Sequence, residues 1–104
     1  MITADVIKSN HKKYLEREKE KYKEFIDKGL NIYEARFISE KLTTMELDSE
    51  TEGKEKFTFM ISEPYIKVKD IEDMLVYLGF FVKTEWVSSI SMYKITIATR
   101  MELL

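Results

Sequence analysis

A chain of 104 residues without cysteine has room for one hydrophobic core, and it excludes disulfide scaffolds, thiolate metal sites and thiol nucleophiles. Apolar residues make up 44% and charged residues 35%, which is enough buriable surface for a folded domain and unlike the composition of a disordered chain. The net charge is −2, with ten cations against eight anions in residues 1–44 and seven against eleven in the remainder; non-specific phosphate binding needs a clustered excess of cation, so a general polyanion binder is disfavoured.

The N-terminus lacks the basic stretch and continuous apolar core of a secretory signal, and no apolar run approaches the ~20 residues that span a bilayer. The expectation is a single soluble, cytoplasmic domain over residues 1–104, without membrane contact. Thr3 is placed to cap a first helix, Asp5 suits its first turn, and good helix formers continue to Gly29, which suits the left-handed position after a helix end. This predicts one helix over residues 4–28, about 40 Å long and therefore projecting in part from a domain of this size. Lys12 with Glu16 and Glu24 with Lys28 are pairs of opposite sign four residues apart that support it.

Asn31 can cap a second helix, with Glu34 completing a capping box and Leu30 placed to pack on Ala35. Ile32, Ala35, Ile38, Leu42 and Met45 recur at intervals of three and four, so this helix folds back on the first as an αα-hairpin spanning residues 1–45. The run LTTMELD is ambiguous, because the β-branched Thr43 and Thr44 also suit a strand. Residues 46–56 are polar and contain Gly53, and read as an acidic linker.

From residue 57 to 104 the pattern is β-α-β-β. Phe57, Phe59 and Ile61 alternate with Thr58 and Met60 in a strand that Pro64 ends. Val68, Ile71, Met74, Leu75 and Leu78 form the apolar stripe of a third helix closed by Gly79. Phe80, Val82, Thr84 and Trp86 alternate with Phe81, Lys83, Glu85 and Val87 in a second strand, and a serine-rich turn leads to a third with Tyr93, Ile95 and Ile97 inward. The predicted class is α+β. A crossover would make the first two strands parallel and the closing hairpin antiparallel, giving a small three-stranded mixed sheet with helices on one face.

DSETEG, residues 48–53, imitates the start of a calcium loop, but the twelfth position, which needs a bidentate carboxylate, is Phe59. His11, the one histidine, assembles neither a metal pair nor a nucleophile and base. No cofactor, metal or catalytic residue is expected. The lysines of the first helix with Tyr14 and Tyr22 could contact nucleic acid, yet Glu16, Glu18, Glu20 and Glu24 are interleaved with them. His11 and Glu18 interrupt the apolar stripe of that helix, which reads either as incomplete cover or as a polar register device in an oligomer. The second strand is apolar on both faces, so either the hairpin or a partner covers the second one.

Met1-Ile2-Thr3-Ala4, the lysine- and glutamate-rich first helix, and the block from Leu75 to Val82 leading into a strand hairpin resemble small accessory proteins of tailed bacteriophages. The resemblance implies a non-enzymatic protein made in an infected cell that binds and alters a host protein, and it carries over no functional residue. The expected function is accordingly a non-enzymatic protein-interaction module, with Tyr14, Glu18, Tyr22, Phe81 and Trp86 on its contact surface. Self-association through the first helix or the strand edge is one form of it, and a nucleotide- or nucleic-acid-binding module using lysines and stacked aromatics is the alternative.

Overall fold

The computed structural model describes residues 2–62 and 64–104. Helix α1 spans Ala4–Lys21, α2 Lys23–Ile26 and α3 Ile32–Glu52; β1 is Lys56–Ile61, α4 Val68–Tyr77, β2 Phe81–Val87 and β3 Met92–Ala98, with a short 3₁₀ turn at Met101–Leu103.

The helix ends follow from local hydrogen bonding. The Thr3 hydroxyl accepts from the Val6 N–H at 3.3 Å, and the Asn31 carboxamide accepts from the Glu34 N–H at 2.8 Å while the Glu34 carboxyl accepts from the Asn31 N–H at 3.0 Å. These bonds satisfy amides that a helix start leaves without partners. Gly29 and Gly79 have φ of 102° and 97°, a conformation that a Cβ disfavours. Each glycine lets the following apolar residue turn into the core: the Leu30 N–H donates to the Phe25 carbonyl at 3.2 Å and the Phe80 N–H to the Leu75 carbonyl at 3.1 Å.

Two helix boundaries differ from expectation. The first helix is not continuous to residue 28, because the backbone of Tyr22 departs from helical values (φ −107°, ψ 20°) and its side chain is buried in the core, so the chain restarts as α2. The expected acidic linker at 46–56 is helical as far as Glu52, and LTTMELD is helix throughout. The hydroxyls find acceptors within the helix: Thr43 donates to the Ser39 carbonyl at 2.9 Å, Thr44 to Glu40 at 3.2 Å, Ser49 to Glu46 at 2.8 Å and Thr51 to Leu47 at 2.9 Å. Such bonds satisfy the hydroxyls without strengthening the helix; buried Met45 anchors it to the core. DSETEG is thus the last turn of α3 and its Gly53 end, which is not a calcium-loop geometry.

The sheet order is β1-β3-β2, and both pairings are antiparallel. β1 and β2 do run in the same direction, but β3 lies between them, so the sheet is antiparallel rather than mixed. The central place has both strand edges paired, and it is taken by the strand with Ile95 and Ile97 on one face and the small buried Thr96 and Ala98 on the other. The register places Phe57, Ile97 and Val82 in one row, Phe59, Ile95 and Thr84 in the next, and Ile61, Tyr93 and Trp86 in the third. On this face α2, α3 and α4 contribute Phe25, Ile26, Phe37, Ile38, Met45, Ile71, Met74 and Leu75 to a common core. Phe37 meets Phe59 edge-on at 5.6 Å between ring centres. Ile38, Ile71, Leu75, Ile95 and Ile97 are completely buried, each contributing about 1.5–3 kcal/mol of transfer free energy.

α1 stands apart from this core. None of its residues is buried, and the molecule measures 59 × 33 × 25 Å with a radius of gyration of 16.6 Å, against about 13 Å for a compact domain of this length. The helical hairpin therefore closes at its base and opens toward the N-terminus.

Candidate functional site

Where α1 leaves the body, its side chains meet α3 through Arg36. The Arg36 guanidinium donates to the Tyr14 hydroxyl at 3.2 Å and to a Glu18 carboxylate oxygen at 3.4 Å. Glu18 is the less exposed partner of that ion pair. The charge that interrupts the apolar stripe of α1 thus has a partner within the chain, whereas His11 lies further out and is exposed.

Beyond Arg36, Tyr33 and Tyr65 stack with ring centres 5.0 Å apart and planes 25° from parallel, both largely exposed. With Phe37, Glu40, Pro64 and Ile66 they line a depression of about 380 Å³. Tyr65 is held there because its carbonyl accepts from the Asn31 side chain at 2.9 Å. Exposed tyrosines that keep a fixed orientation offer large contact area with little ordering entropy left to lose.

Beneath this surface lies a polar clamp. Glu34, 1% exposed, accepts from the Asn31 N–H through one carboxyl oxygen and from the Lys67 N–H through the other, both at 3.0 Å. One side chain thereby caps α3 and holds the residue that precedes α4. Burial pushes the Glu34 carboxyl above its ordinary value; the two N–H donors oppose that shift, and the hydrogen bond and negative charge of Asp70 add to it. On the far flank of α4, the Lys28 ammonium donates to the Tyr77 hydroxyl at 3.1 Å, which holds that lysine above its ordinary value.

The five expected contact residues fall in different places. Tyr14 and Glu18 come together at Arg36. Tyr22 is a correction: at 7% exposed it belongs to the core, at the point where the backbone leaves helical values, and it offers no surface to a partner. Phe81 and Trp86 are both exposed but occupy opposite faces of β2, an odd number of positions apart. Trp86 contacts Tyr93 edge-on at 4.8 Å, at the exposed end of the row whose other end is buried Ile61. Phe81, Lys83 and Glu85 lie on the face away from the helices and are exposed, so among the described residues no helix covers them.

Arg36, Tyr33 and Tyr65 were missed in the sequence. The spacing of Tyr33 and Arg36 on one helical face was the available signal; nothing local relates either to Tyr65. No protein-family model matches the chain, and neither a curated protein nor a solved structure matches it significantly. Among the described residues no helix is long and apolar enough to cross a membrane.

Proposed function

We propose that this protein is a non-enzymatic interaction module that docks on another protein through α1 and the tyrosine surface at its base. In the reading suggested by its likeness to phage accessory proteins, the partner is a host protein whose activity the docking alters. The observation that carries the reading is the free-standing helix. Most helical stability in proteins comes from packing an amphipathic face, and this helix of 18 residues buries none of its side chains and presents Val6, Ile7 and Tyr14 to solvent. A partner that covers those side chains stabilises the helix and gains apolar contact at once.

The nucleic-acid reading has less support. The cations of α1 alternate with carboxylates, Lys23 is paired with Asp27 at 3.1 Å, and Phe81 and Trp86, on opposite faces of β2, form no common stacking platform.

The test is affinity capture from bacterial lysate with the wild type and with a Val6→Glu, Ile7→Glu variant, whose exposed positions leave the core intact. The expected result is one stoichiometric protein retained by the wild type and lost from the variant, with binding that survives moderate salt. Equal retention by both proteins, or recovery of nucleic acid released by salt, would refute the proposal.

A further inference from the structure

The outer edge of β2 is open: β3 pairs it on one side, and it ends the sheet on the other. An open edge is a template for another strand. We infer that two copies of this chain associate through this edge, β2 against β2 about a two-fold axis, into one continuous six-stranded sheet. The inference concerns a different surface from α1 and stands independently of the function proposed above.

Charge selects both the occupant and the register. Antiparallel pairing about a two-fold axis places opposite each other residues whose side chains point to the same face, so the axis must lie midway between the two copies of one residue. Centred on Lys83 it sets lysine against lysine, and centred on Glu85 it sets glutamate against glutamate. Centred on Val82 it sets Lys83 against Phe81, and centred on Trp86 it sets Glu85 against Val87.

Centred on Thr84, every pair is favourable. Lys83 faces Glu85 of the second copy, and Glu85 faces its Lys83. Phe81 faces Val87 on the uncovered side of the sheet, and Val82 faces Trp86 on the helix-covered side. The exposed Phe81 and Trp86, at 39% and 55%, thus each gain an apolar neighbour. The Lys83–Glu85 pair already formed within one chain at 3.2 Å and Lys94 opposite Glu85 on β3 extend the alternation of charge across both copies.

A second observation falls at the same point. The Thr84 hydroxyl is, among the described residues, the one buried side-chain oxygen or nitrogen without a hydrogen-bond partner. On the two-fold axis Thr84 faces Thr84 of the second copy, and cross-strand threonine pairs hydrogen-bond after a side-chain rotation.

Light scattering with chromatography tests this on the intact chain and four exposed-site variants. The wild type is expected near twice the 12.4 kDa chain mass. Lys83→Glu alone, or Glu85→Lys alone, sets like charges opposite each other and is expected to weaken association about tenfold or more. The double variant Lys83→Glu, Glu85→Lys is expected to restore the dimer, and the two single variants mixed together are expected to pair with one another. A wild type that stays monomeric at several hundred micromolar would overturn the inference. So would a dimer indifferent to the single reversals, or one lost on Val6→Glu, Ile7→Glu, which would place the seam on α1.

Discussion

Replacing Glu34 with alanine leaves two backbone N–H groups, those of Asn31 and Lys67, without the carboxyl oxygens that accept them at 3.0 Å in a site 1% exposed. A buried donor without a partner costs about 1–3 kcal/mol, so the two together predict a loss of about 2–6 kcal/mol, a large part of the stability of a domain this small. The assay is urea unfolding followed by circular dichroism. A loss below about 1 kcal/mol would refute the clamp. The pH dependence supplies a second reading of the same residue. Burial raises the folded-state pKa of Glu34 above its ordinary 4.5, so over that interval the folded protein binds more proton than the unfolded chain. The stabilising contribution is therefore complete below pH 4.5 and is lost as pH rises through the folded-state value. Glu34→Gln does not titrate, so the stability advantage of the wild type over that variant is expected to shrink from acid toward neutral pH. An advantage that grows over the same range would contradict the assignment.

Gly79→Ala, at φ 97°, is expected to cost about 1–2 kcal/mol of unfolding free energy, read as a lower denaturant midpoint, although nothing lies within 4 Å of the added methyl, because the strain is in the backbone. Tyr22→Ala is expected to lose about 3–5 kcal/mol as a core truncation, whereas Tyr14→Ala, on the exposed base of α1, is expected to lose less than about 1 kcal/mol; similar losses at both positions would contradict the burial difference. Arg36→Ala removes the bonds to Tyr14 and Glu18, and is expected to speed amide hydrogen exchange in α1 selectively while exchange in β3 stays unchanged. Because that ion pair is partly exposed, the accompanying change in global stability is expected to be below about 1 kcal/mol.

What the amino-acid order determined by itself lies within about one turn or one strand. Thr3, the reciprocal pair Asn31 and Glu34, and the turns at Gly29 and Gly79 are legible because each bonds or bends within five residues of itself. The inward faces of the strands are legible because side chains alternate with period two. The two apolar faces of β2 could be read the same way, and with them the exposed Phe81 and Trp86, but not the partner each would meet.

Tertiary structure decided the rest, through contacts between residues far apart in the chain. β3 took the centre of the sheet because its apolar and small side chains tolerate neighbours on both edges, and no local pattern says which strand will be enclosed. Thr43, Thr44, Ser49 and Thr51 weaken a helix by propensity, yet with Met45 anchored in the core their hydroxyls bond to the preceding turn and the helix continues. Tyr22 looked like one more member of an amphipathic stripe until the core drew it in and broke the helix beside it. Glu34 was visible as a cap for its own helix, but its second acceptor role toward Lys67 requires residues 33 positions apart to meet. The tyrosine surface around Arg36 draws on α1, α3 and the segment before α4, so only packing brings it together.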